Sequence, residues 1–195
     1  MNTVVIRNSS NDLWDVFAAD CLKYFRPYLK ATFVDYLNFT QANRAQKLKA
    51  ALGGDMELVV ALCHGDEHGN LYSPASQCAF NISDVSVLEG KFCYLVACYA
   101  GARLGPKAMA VGAAGFVGFD RSIITVSSPS IDRYKEAICA GLIERITNGT
   151  NAAGVADVLR TELRRQADIV SQSLNVHDLM LCGAMLASAR YVVHS

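Results

Sequence analysis

The 195-residue chain predicts an α/β fold, a three-layer arrangement with a mainly parallel central sheet flanked by helices. Three observations predict it. Its strand-like runs are apolar continuously rather than alternately, as strands covered on both faces are. Those runs alternate with segments of helical period, which right-handed crossovers distribute over both faces of a sheet. Hydrophobic residues make up 52% and charged residues 18% of the composition, which suits an interior enclosed by two layers and argues against disorder. The length accommodates one buried core, so residues 1–195 are read as a single domain.

Thr3 to Ile6 is a short β-branched run ended by the polar cluster RNSSND, a strand followed by a turn and a helix N-cap. From Asn11 to about Lys30, Leu13, Val16, Phe17, Cys21, Leu22, Phe25 and Leu29 recur at helical spacing. Asp12 and Asp15 lie in the first turn, where the macrodipole favours acids, and Pro27 ends or bends the helix. Ala31 to Leu37 predicts a second strand and Gln41 to Leu52 a helix stopped by Gly53 and Gly54. Glu57 to Cys63 predicts a central strand whose polar residues wait at its carboxyl end. A polar loop from Asp66 to Ser83 and the amphipathic stretch ISDVSVLEG lead to a strand over Phe92 to Ala97 and a glycine-containing turn. Ala102 to Gly112 reads as a small-residue helix and Gly115 to Phe119 as a fifth strand closing with Asp120 and Arg121. Beyond Pro129, Ile131 to Thr147 and Asn151 to Ser171 are amphipathic helices separated by NGTN. Periodicity leaves Leu179 to Val193 open between helix and strand.

Composition also excludes classes of function. Eighteen basic residues balance eighteen acidic ones, and no block of like charge restores a local field, so neither nucleic acid nor an anionic membrane is an expected partner. The apolar run from Ala108 to Phe119 falls short of the roughly 20 residues that cross a bilayer. The amino terminus lacks a signal-peptide pattern, which makes the cytoplasm the expected location. Seven cysteines form no framework, and Cys63, Cys93, Cys139 and Cys182 lie in apolar runs, so most are expected as reduced core residues. No CxxC or HExxH spacing offers a metal site. Cys63, His64 and His68 are neighbours that zinc could use, but the expectation is no metal and no cofactor.

Ligands of open parallel sheets sit at the carboxyl ends of the strands. That rule selects His64 with Gly65, Cys98 with Gly101, and Asp120 with Arg121. An imidazole and a thiol delivered to one rim by two strands can make a nucleophile, with glycine letting a substrate carbonyl approach backbone donors. Taken singly, a buried cysteine is usually core and a strand-end histidine a hydrogen-bonded surface residue. Together they fit thiol catalysis better, because each is followed by glycine at the same edge.

At these residues the chain resembles the caspase-like (clan CD) cysteine peptidases, and within them the CHAT-domain branch. The pieces ELVVALCHG, ISDVSVLEGKFCYLVACYAG and AVGAAGFVGF follow in the family's order, over roughly Gln41 to Ile124. The resemblance implies a cysteine endopeptidase making limited cuts through a thioester. Cys98 would be the nucleophile, His64 the general acid and base, and the N–H groups of Gly65 and Cys98 the oxyanion hole. It implies a substrate strand added to the sheet edge at Phe119, Asp120 and Arg121, with a protein or peptide as partner. It also allows a regulatory partner and pairing of two chains through edge strands. For the first specificity pocket Asp120 suits a basic side chain and Arg7, after the first strand, an acidic one. Asp120 is preferred, although a solvated charge at a strand end accounts for it equally. His68 is the alternative base, since loop residues can reach a strand-end nucleophile. The stretch ARLGPKAM is shorter than the glycine-rich segment common in the branch. Two rival readings are a non-catalytic scaffold of the same fold and a nucleotide- or flavin-binding domain, the latter disfavoured by the lack of GxGxxG and GxxxxGK[ST].

Overall fold

The computed structural model describes residues 1–7, 13–29, 33–37, 46, 50–53, 55–72 and 78–195, with backbone alone for 33–37, 78 and 79. Six strands form one sheet in the order β2-β1-β3-β7-β8-β9. They are β1 (Thr3–Arg7), β2 (Phe33–Leu37), β3 (Leu58–Leu62), β7 (Phe92–Val96), β8 (Gly115–Phe119) and β9 (Val192–His194). Every pairing is parallel except β8 with β9, which is antiparallel. A second, three-stranded antiparallel sheet joins β4 (His64–Gly65), β5 (Leu71–Tyr72) and β6 (Cys78–Phe80). Its β5 and β6 fall within the stretch Asp66 to Ser83 that the sequence predicts as loop, because two- and three-residue strands carry no readable period.

The helices are α1 (Leu13–Phe25), α2 (Ala100–Ala110), α3 (Ile131–Asn148), α4 (Ala152–Val170) and α5 (Val176–Tyr191). Single 3₁₀ segments span Arg26–Tyr28, which holds Pro27, and Ile82–Leu88, which a capping box of Asn81 and Asp84 opens. The predicted helix over Gln41 to Leu52 lies largely, and the predicted starts of the first helix at Asn11 and the second strand at Ala31 lie wholly, outside the described residues. The undecided segment Leu179 to Val193 is both things: α5 runs to Tyr191 and β9 begins at Val192.

Strand residues alternate between two cores, as a pleat of period two requires. Val5, Val60, Tyr94 and Val117 face α1, α3, α4 and α5. Val4, Val59, Cys93, Leu95 and Phe116 face Leu88 and α2. Each residue of β3, β7 and β8 is buried, which accounts for their continuous apolar sequences. The Tyr94 hydroxyl, buried in the first core, donates to the Ile138 carbonyl at 2.6 Å. Among the described residues no helix is long and apolar enough to cross a membrane.

Candidate active site

Strand register brings the two reactive residues to one rim. Leu62 of β3 pairs with Val96 of β7, so His64 and Cys98, each two residues further on, leave neighbouring strands at the same height. Gly65 makes the approach closer still. A Cβ placed on it would lie 2.2 Å from the Cys98 carbonyl oxygen and 3.1 Å from the Cys98 nitrogen, contacts no side chain tolerates. Arg7, paired with Leu62, ends β1 on the same rim.

The turn after β7 is held in an unusual shape. Tyr99 has φ +58°, the one non-glycine residue with positive φ among those described, and left-handed backbone at such a residue costs energy that its surroundings must supply. Its N–H donates to the Arg121 carbonyl at 3.1 Å, tying the turn to the end of β8. The turn places Cys98 just before the amino terminus of α2, the end of a helix dipole that attracts anions. Gly101 sits close under the Phe119 carbonyl and the Val193 side chain.

The Cys98 sulfur accepts a hydrogen bond from the Ile123 N–H at 3.2 Å and lies 3.7 Å from the Ile123 carbonyl and 3.6 Å from the Ser122 hydroxyl. The Cys98 N–H has no hydrogen-bond partner among the described residues. The His64 side chain is 41% exposed, and its Nε2 lies 3.9 Å from Oδ1 of the buried Asp15. The Trp14 ring, 6.4 Å away between centroids and tilted by 49°, flanks the imidazole. Trp14 in turn stacks on Phe17.

Asp15, Ser122 and Ile123 are the site residues that sequence reasoning missed. For Asp15 a signal existed: with Ala18, Leu22 and Phe25 it falls on one stripe of α1, all of it buried, and an acid in an apolar stripe asks for a partner. For Ser122 and Ile123 the sequence holds no signal.

The remaining expected site residues divide. Asp120 follows β8 with its N–H bonded to the Tyr191 carbonyl at 3.0 Å, and its Oδ1 is buried without a hydrogen-bond partner among the described residues. Arg121 is exposed. Phe119 corrects the expected substrate edge. It is buried and pairs with Val192 of β9, so the edge beside β8 is already filled and no further strand can add there. Beyond it, the Asp120 N–H and the Arg121 carbonyl are bonded within the chain, to the Tyr191 carbonyl and the Tyr99 N–H.

His68 is exposed on a turn tied down by the Asp66 carboxylate, which accepts from the N–H groups of His68 and Asn70 and from the Tyr72 hydroxyl at 2.6 Å. Although burial opposes it, these donors hold the Asp66 carboxyl below the usual range. Cys63 is fully buried in the second core, so it does not join His64 and His68. No three metal-ligating side chains converge among the described residues.

The fold is that of known cysteine proteinases. The complex of the pro- and mature domains of RgpB from Porphyromonas gingivalis superposes with a TM-score of 0.56 at 14% identity, over 98% of this chain and 46% of that one. The structure of the Arg-specific cysteine proteinase gingipain R (RgpB) gives 0.55 at 16% identity, over 97% and 45%. The chain thus spans less than half the length of these neighbours. It has the three-layer caspase-like architecture. No protein-family pattern and no curated sequence matches it.

Proposed function

We propose that this chain is a caspase-type cysteine endopeptidase, with Cys98 as nucleophile and His64 as general acid and base. The observation that carries the proposal is the packing of Gly65 on the Cys98 backbone, which sets the ends of β3 and β7 side by side. The Cys98 sulfur attacks the substrate carbonyl carbon while His64 takes the thiol proton. The C–N bond then breaks, His64 returns that proton to the departing amine, and water hydrolyses the thioester. Oδ1 of the buried Asp15, 3.9 Å from Nε2, favours the imidazolium that forms when His64 takes the proton. The N–H groups of Cys98 and Gly65 stabilise the oxyanion at the helix amino terminus.

Asp120 gives the site its preference for a basic side chain. Asp120 lies half-buried at the carboxyl end of β8, and its carboxylate would pair with a substrate guanidinium or ammonium. Similarity to a proteinase described as Arg-specific supports the same assignment. The order of the sequence motifs supports the CHAT branch. A neighbour solved as a complex of its pro- and mature domains supports a protein partner.

Irreversible peptide probes carrying Arg, Lys or Asp at the first position test the reading. Peptide mass spectrometry is expected to find Cys98 labelled by the Arg probe, with labelling lost in His64→Ala and weakened by Asp120→Ala. Labelling by the Asp probe alone moves the pocket to Arg7. Labelling by none, in folded protein, refutes the peptidase.

A further inference from the structure

Residues 122–130 run from the candidate nucleophile to the start of α3 with few attachments. From Ser122 to Ser127 no backbone–backbone hydrogen bond forms among the described residues. Thr125, Ser127 and Ser128 border a hollow of about 100 Å³ against Leu13, Val16 and Phe17 of α1. Two points hold the segment. At one end Ile123, 5% exposed, is set in the first core and presents its N–H to the Cys98 sulfur. At the other, the Asp178 carboxylate in the first turn of α5 gathers the chain. Its Oδ1 accepts from the Ser128 hydroxyl at 2.5 Å and the Ser130 N–H at 3.3 Å, and its Oδ2 accepts from the Ser173 hydroxyl at 2.7 Å. The Ser128 hydroxyl also accepts from the Ser130 N–H at 3.0 Å. Asp178 is only 5% exposed, and the Ser128 and Ser173 hydrogen bonds hold its carboxyl below the usual range, so the cluster stays charged.

We propose that Asp178 is a positioning residue for Cys98: by fixing Ser128 and Ser130 it holds the 122–130 segment so that the Ile123 N–H stays aimed at the sulfur. The inference rests on the reading of Cys98 as the nucleophile. A donor on sulfur favours thiolate over thiol, and the thiolate is the species that attacks. A segment fastened only at its ends loses its aim when one fastening goes. The titratable groups on the elements packed around the turn, His64 of β4, Asp15 of α1, Asp120 and Arg121 after β8, and Tyr134 of α3, are not altered when Asp178 or Ser128 is changed.

The test alkylates the full chain with iodoacetamide and follows the Cys98 peptide by mass spectrometry in wild type, Ser128→Ala and Asp178→Asn. At pH 7 the variants are expected to react about three- to tenfold more slowly. At pH 10 an ordinary thiol is ionised, and the rates are expected to coincide. Slowing confined to pH 7 in either folded variant supports the proposal. Equal rates at pH 7 in both, or a change by the same factor at both pH values, overturns it, the second result reporting access rather than ionisation. Ser128→Ala leaves Asp178 bonded to Ser130 and Ser173, so it decides if Asp178→Asn does not fold. The sulfur is read directly, so the proposal can fail while probe labelling of the wild type upholds the peptidase.

Discussion

Replacing Gly65 with alanine tests the contact on which the site is built. The added methyl would lie 2.2 Å from the Cys98 carbonyl oxygen, 3.1 Å from its nitrogen and 3.2 Å from the Ala97 Cβ. The first two neighbours are backbone at the end of a buried strand and cannot rotate away. Ordinary contact begins near 3.4 Å, so the ends of β3 and β7 must part by about 1 Å. Overpacking of this kind costs about 1–3 kcal/mol. In a domain of this size that lowers Tm by roughly 2–12 °C, at 2–4 °C per kcal/mol. The catalytic effect is larger in proportion, because a displacement near 1 Å between reacting groups costs about 10²-fold in rate. Thermal melts by circular dichroism and Arg-probe labelling of Cys98 measure the two quantities. Gly183→Ala is the control. Nothing lies within 4 Å of a Cβ there, and alanine in a helix interior gains about 0.5–1 kcal/mol over glycine. A Gly65→Ala protein with wild-type Tm and labelling rate would refute the reasoning, since the strand ends would then not touch as described.

Two further outcomes are expected. Asp15→Asn keeps the shape of a buried side chain but removes the charge beside Nε2, so probe labelling should fall on the order of 10²-fold with Tm changed by a few degrees; unchanged labelling removes Asp15 from the site. Away from it, Lys135 bridges Asp20 at 2.8 Å and Asp132 at 2.9 Å. The Lys135 hydrogen bond lowers the Asp20 pKa, so its stabilisation is complete above the ordinary value of 3.8 and disappears as pH falls through the lower folded value. Burial opposes the Lys135 charge, yet the bonds to Asp20 and Asp132 raise its pKa, so that contribution is complete below 10.5 and lost as pH rises through the higher folded value. The Tm gap between wild type and Lys135→Met should therefore narrow below about pH 4. A constant gap from pH 7 to about pH 2.5 contradicts the assignment.

The central strands were legible because burial on both faces leaves one kind of residue in a row, as in Leu58–Leu62. Their carboxyl ends were legible for the same reason, since His64 and Cys98 stand where the apolar runs stop. What stayed hidden depends on pairing between distant segments. Asp15 has a sufficient local explanation as a first-turn acid, and only coordinates show the imidazole above it. The sequence of α5 is apolar on every side, with Val176, Leu179 and Met180 half-exposed and Leu181 and Met185 buried, so no period marks where helix gives way to β9. Without β9 the edge of β8 looks vacant, which is why the sequence alone leaves room for a docking strand there. The start of α2 lies two residues before the expected Ala102, because the left-handed turn at Tyr99 begins the helix sooner than composition suggests.

The closing strand has a mechanical meaning as well. Val193 presses on Gly101, the second residue of the helix that follows Cys98, and a Cβ there would come within 2.2 Å of the valine methyl. The last strand thus touches the helix behind the thiol-bearing turn while it is also paired with β8, so a load on the carboxyl-terminal segment reaches that turn both directly and through the sheet.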